Sequence, residues 1–166
     1  MTLDRSFGSF GQLTFHFLPH ICSFNLFDMA ETNASQASPG PTRDPITCHV
    51  LDQVTGRPAA NVSVSLTLIK PLGPSTPATA STNSDGRITN WNVAEGPSIA
   101  DIFSNLAEHE GGKMVWSLKF DTGSYFGQDK TFFPEVEVRF WVDTAGGHYH
   151  VPLLLGPYSY TTYRGS

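Results

Sequence analysis

Val62-Ser63-Val64-Ser65-Leu66-Thr67-Leu68 alternates aliphatic and hydroxyl side chains without a break. Successive side chains of a strand point to opposite faces, whereas a helix would scatter these residues around its circumference. The run therefore reads as a strand with one face in a core and the other in water. The same period of two recurs where Met114, Trp116, Leu118 and Phe120 alternate with Val115, Ser117 and Lys119, and where Val136, Val138, Phe140 and Val142 alternate with Glu135, Glu137 and Arg139. Turn-forming residues punctuate the runs: Thr55-Gly56-Arg57-Pro58, Asn83-Ser84-Asp85-Gly86, Asp121-Thr122-Gly123 and Gly146-Gly147. The expected fold is all-β, an antiparallel β-sandwich of seven or eight short strands.

One segment breaks the period and predicts a short helix. Ser98 can cap it, Ile99, Ile102, Phe103 and Leu106 share one face, Asp101 lies near its positive end, and Gly111-Gly112 follow its close. One or two short helices are thus expected in the sandwich. Pro71 to Ser81, with three prolines, reads as a surface loop and not a strand.

At 166 residues the chain is long enough for one core without staples. A net charge of −5 and the lack of any Lys/Arg run argue against nucleic acid as a partner. Residues 6 to 27 carry no charged side chain, yet Gly8, Gly11, His16, Pro19, His20 and Asn25 interrupt them too often for a spanning helix, so no membrane is expected either. Cys22 and Cys48 lie in different regions, which favours free thiols and a reducing compartment. Met29 to Pro45 is rich in Ala, Ser, Thr, Asn, Gly and Pro and cannot offset the entropy of ordering. Residues 1–45 are therefore expected to form a flexible extension, with Met29 as an alternative start that would leave 1–28 upstream of the working protein. Residues 46–166 form the expected folded domain. Cytoplasmic residence follows, with the peroxisome as the alternative, since Arg5 with Gln12-Leu13 weakly matches an amino-terminal peroxisomal signal.

The candidate chemistry lies on two strands and a turn. On the first strand Ile46, Cys48 and Val50 alternate with Thr47, His49 and Leu51. On the last long one Tyr149, Val151, Leu153 and Leu155 alternate with His148, His150, Pro152 and Leu154. With the aliphatic sets in the core, His49, His148 and His150 point off it. A sheet face bearing His and Leu and few charges is a poor solvent face and a good subunit interface, so a site formed between subunits is expected. Arg87 follows the Asp85-Gly86 turn, where a strand end holds a side chain rigidly yet within reach. Taken alone, Arg87 reads sooner as a solvated turn residue and His49 as a structural histidine. His148 and His150 could chelate a metal, but no nearby Cys, Asp or Glu completes a set, so no metal is expected.

Four stretches carry a family resemblance. Ile46-Thr47-Cys48-His49-Val50-Leu51-Asp52 with Thr55-Gly56-Arg57-Pro58-Ala59, the turn Ser84-Asp85-Gly86-Arg87, the run Phe132-Phe133-Pro134-Glu135-Val136, and His148-Tyr149-His150-Val151-Pro152 through Tyr163-Arg164-Gly165-Ser166 resemble 5-hydroxyisourate hydrolase, the transthyretin-related enzyme of urate breakdown. The resemblance covers residues 46 to 166, and its terminal Tyr-Arg-Gly-Ser marks the hydrolases and not transthyretin, the hormone carrier of the same fold. It implies a transthyretin-like sandwich and a homotetramer with sites where dimers meet. It implies catalytic roles for His49, Arg87, His150 and Ser166, substrate contacts from Arg87 and Tyr163, and no cofactor; His148, on the same face as His150, is a further candidate for substrate contact. The implied reaction is hydrolysis of 5-hydroxyisourate to 2-oxo-4-hydroxy-4-carboxy-5-ureidoimidazoline in purine catabolism, by attack of water on a ring carbonyl. Two histidines suit its proton transfers, and an arginine suits the oxyanion. The alternative is a small-ligand carrier without catalysis. Val93 to Gly112 is longer than in compact family members, so its local topology does not follow from the resemblance.

Overall fold

The structure, a computed structural model, describes residues 42–107 and 113–166. Most of the extension assigned to residues 1–45 lies outside the described residues, as do Cys22 and Gly111-Gly112. Within the described part Asp44 is tied down: its amide donates to Thr89 O at 2.9 Å, and its carboxylate accepts from Trp91 N at 2.8 Å.

The strands are β1 (Ile46–Asp52), β2 (Arg57–Pro58), β3 (Ser63–Lys70), β4 (Ala78–Ser81), β5 (Arg87–Ile88), β6 (Lys113–Phe120), β7 (Val136–Asp143), β8 (Tyr149–Gly156) and β9 (Ser159–Thr162). They form two sheets. One has the order β2-β1-β8-β9, with β5 also paired to β1, and the other the order β4-β3-β6-β7. The alternations set the faces as expected: Val64, Leu66, Leu118 and Phe120 from one sheet meet Ile46, Cys48, Val50 and Leu153 from the other, all at most 1 % exposed. The fold is a two-sheet β-sandwich.

Two details differ from the sequence reading. The sandwich is not antiparallel throughout, because β1 and β8 run parallel from Ile46↔Tyr149 to Asp52↔Leu155. Parallel neighbours need a long crossover, and here the chain between them builds the entire second sheet before returning. The turn signals report only local reversals, so they are silent on this pairing. The Pro71–Ser81 stretch also ends in a strand: β4 pairs with β3 through Leu66↔Ala78 to Ser63↔Ser81, and buries Ala78. Its prolines lie ahead of the paired residues, and as an edge strand it needs only one partner.

Helix α1 (Ile99–Ala107) buries Ile99, Phe103 and Leu106 against the sandwich. Its start is a reciprocal cap, with Asp101 N donating to Ser98 Oγ at 3.1 Å and Ser98 N to Asp101 Oδ2 at 3.2 Å. The Phe103 ring lies 6.1 Å from that of Trp116. A second helix, α2 (Thr122–Phe126), is capped by Asp121, which accepts from Ser124 N. Among the described residues no helix is long and apolar enough to cross a membrane.

Candidate active site

The site is built on the outward face of β1 and β8. Because Ile46, Cys48 and Val50 fill the core, period two turns Thr47, His49 and Leu51 outward. The parallel register sets Thr47 beside His150 and His49 beside Pro152. On the other edge of β1, β5 pairs antiparallel and sets Arg87 opposite His49. Residues from the start, middle and end of the folded chain therefore meet on one patch.

The three imidazoles form a row. The rings of His49 and His150 stand 6.4 Å apart at 28°, and those of His148 and His150 stand 6.3 Å apart at 18°. Beneath the row lies Thr47, only 3 % exposed. Its Oγ1 is 2.9 Å from His148 Nε2 and 2.8 Å from His150 Nδ1. Thr47 is the one residue of this cluster that the sequence reading did not single out. Its place on the His49 face was readable from the period, but its pairing with β8 was not.

The electrostatics disfavour the charged form of these rings. Burial holds all three histidines below the usual imidazole pKa. Arg87 pushes His49 and His150 further down, His49, His148 and last Arg43 add to the shift of His150, and Arg43 also lowers His148. A backbone hydrogen bond with Asp85 and the Asp85 charge partly offset the shift of His49. Neutral imidazoles beside a fixed guanidinium can accept protons near neutral pH while the cation binds an anion or an oxyanion. Among the described residues no three His, Cys, Asp or Glu side chains are grouped so as to hold a metal ion.

The end of the chain closes one side. The register that pairs Leu153 with Thr162 also pairs His150 with Gly165, whose amide donates to His150 O at 2.9 Å. By that register Tyr163 falls beside Pro152 on the histidine face. Arg164 turns the other way and lays its guanidinium 5.0 Å from the centre of the Tyr149 ring. Tyr163 is 57 % exposed and Ser166 is exposed as well. The His148 and His150 rings both meet Thr47, and among the described residues no hydrogen bond links Tyr163 or Ser166 to the row, so within one protomer they border it without joining it. The apolar cavity of about 350 Å³ under α1, lined by Leu66, Leu68, Ile99, Ile102 and Trp116 among others, contains none of the expected site residues.

Comparison with known proteins places this geometry. The model of the HIUase/Transthyretin family matches residues 46–165. A probable 5-hydroxyisourate hydrolase of Schizosaccharomyces pombe is 41 % identical over 133 residues, covering 77 % of this chain and 96 % of the relative. Among solved structures, transthyretin from Sparus aurata aligns with a TM-score of 0.57 at 31 % identity, over 74 % of this chain and 97 % of its own. Klebsiella pneumoniae 5-hydroxyisourate hydrolase aligns with a TM-score of 0.52 at 28 % identity, over 73 % and 97 %. With its sandwich, its histidine row and a family match spanning nearly all of its folded part, this chain belongs to the HIUase/Transthyretin family.

Proposed function

We propose that this protein hydrolyses 5-hydroxyisourate, with His49 and His150 sharing the base and acid roles and Arg87 stabilising the oxyanion. The observation that carries the reading is the gathering of His49, His148, His150 and Arg87 on one outward face of the β1/β8 sheet. An inert carrier of apolar ligands has no use for a row of neutral imidazoles beside a cation. In the proposed reaction water loses a proton to one imidazole as its oxygen attacks the ring carbonyl. The carbonyl oxygen gains negative charge, which the forked donors of Arg87 receive. The ring C–N bond then breaks as the leaving nitrogen takes a proton from an imidazolium. His148 and Tyr163 contact the planar substrate, and Ser166 orients the water or a histidine. The sequence of Tyr163 to Ser166 supports these last roles.

Leu51 and Leu154 share this face with the histidines and are only half-buried within one protomer, a composition that suits contact with a second copy. We accordingly place the site between subunits of a homotetramer, in the cytoplasm or, with an import signal, the peroxisome. Light scattering on the eluting protein tests the assembly, and fluorescent fusions test the compartment. For the reaction, 5-hydroxyisourate generated from urate by urate oxidase is mixed with the protein and its ultraviolet absorbance followed. Decay faster than the spontaneous rate is expected, and decay at the spontaneous rate would overturn the assignment.

A further inference from the structure

Resting on the hydrolase reading, we propose that Thr47 is a positioning residue whose single hydroxyl proton forces His148 and His150 into the same tautomer, and so sets whether His150 faces the substrate as base or acid. Thr47 Oγ1 stands within hydrogen-bond distance of His148 Nε2 and His150 Nδ1 at once. A hydroxyl has one proton to give, and a neutral imidazole has one N–H donor and one acceptor nitrogen. If Thr47 donates to His148 Nε2, it accepts from His150 Nδ1–H. Both rings then carry their proton on Nδ1, and His150 Nε2 is a free lone pair. If Thr47 donates to His150 Nδ1, it accepts from His148 Nε2–H. Both rings then carry it on Nε2, and His150 presents an N–H.

The surroundings aim that free nitrogen outward. Thr47 holds the Nδ1 edge of His150. The Cα of Gly165 lies against the opposite edge so closely that a Cβ there would stand 2.6 Å from His150 Cδ2. The same hydroxyl also connects the two states. When His150 Nε2 takes the proton of the attacking water, the Nδ1 proton can pass to Thr47 Oγ1 while the Thr47 proton passes to His148 Nε2. His150 then presents an N–H toward the substrate while the positive charge rests on His148; as the leaving nitrogen takes that proton, the Thr47 proton returns to His150 Nδ1 and the His148 Nε2 proton returns to Thr47 Oγ1, which restores both neutral rings. Each proton is accounted for and no further reactant is needed. Buried groups that orient a histidine's second nitrogen act on activity through the first, without touching substrate.

The test has an arm that needs no substrate. In ¹⁵N-histidine-labelled wild-type protein above pH 7.5, the imidazole nitrogen shifts are expected to give His148 and His150 the same tautomer. Opposite tautomers would overturn the proposal whatever the activity. In the kinetic arm, Thr47→Val is expected to lower kcat about 10- to 100-fold with KM little changed, to alter the acid limb of the pH profile, and to mix the tautomers. Thr47→Ser should restore most of the activity and the wild-type tautomer. Limb shifts are read against the other groups facing His150: Arg43, His49, Arg87, His148, Tyr163 and the Ser166 terminus. An active wild type with Thr47→Val unchanged in kcat and pH profile, or Thr47→Ser as impaired as Thr47→Val, would overturn the Thr47 role while leaving the hydrolase assignment standing. A wild type inactive on 5-hydroxyisourate would overturn the hydrolase assignment instead.

Discussion

Gly165 donates its amide to the carbonyl of His150 at 2.9 Å, and its Cα sits against the edge of the same residue's imidazole. A side chain at this position would place Cβ 2.6 Å from His150 Cδ2 and 3.1 Å from Pro152 Cγ. Glycine is thus required here by close approach. Gly165→Ala must either force the imidazole out of its present seat against Thr47 or lift the segment from β8. Because a displacement of about 1 Å can lower a rate about 10²-fold, kcat/KM is expected to fall by that order. The melting temperature should change little, since Gly165 lies outside the core and meets β8 at a single bridge. Steady-state kinetics with calorimetry on the same preparation checks both halves. A fully active Gly165→Ala protein would show that the His150 ring position does not matter.

Arg87 pairs with His49 across β5 and β1 yet is itself exposed, so its removal should act on chemistry and not on folding. Arg87→Ala is expected to lower kcat by about 10²–10³, the usual cost of losing one oxyanion donor. Chemical denaturation should give a stability within about 0.5 kcal/mol of the parent. Arg87→Lys keeps the charge but loses the planar fork, and should recover only part of the activity.

The sandwich was legible because its strands carry their faces in a strict alternation. Val64, Leu66, Trp116 and Leu118 are all buried where period two puts them. Helix α1 was legible because Ser98 and Asp101 announce its start. The histidines were readable as off-core for the same reason as the strands. The Thr47 contacts were not, because they depend on a parallel pairing between segments about a hundred residues apart, for which no local residue is a signal. Strand β4 escaped notice because Ala78-Thr79-Ala80-Ser81 has no large apolar residue to mark a face, and only its pairing to β3 makes it a strand.

Cys48 provides a probe of the core that is independent of the site. It is fully buried, and burial pushes its thiol up to about 12, against a smaller opposing effect of a backbone hydrogen bond with Ile88. At pH 8 the folded protein should leave Cys48 unalkylated by iodoacetamide, and denaturant should release it. Peptide-resolved mass spectrometry distinguishes it from Cys22. Rapid modification of Cys48 without denaturant would mean that the β1/β8 sheet opens readily.

The pH dependence follows from the three depressed histidines. Each prefers to be neutral in the folded state, while in the unfolded chain it takes up its proton near pH 6.5. Their contribution to stability is therefore complete above about 6.5. It is lost as pH falls through the interval between that value and the lower folded values, where the unfolded state binds more protons. Activity that needs neutral imidazole should persist below pH 6.5 and then decline on the acid side. The Arg87 charge depresses His49 and His150, whereas the charge that acts on His148 is that of Arg43. In an NMR titration Arg87→Ala should raise the first two and leave His148 nearly in place. Equal movement of all three, or of none, would show that the arginine charge does not reach the row as the geometry requires.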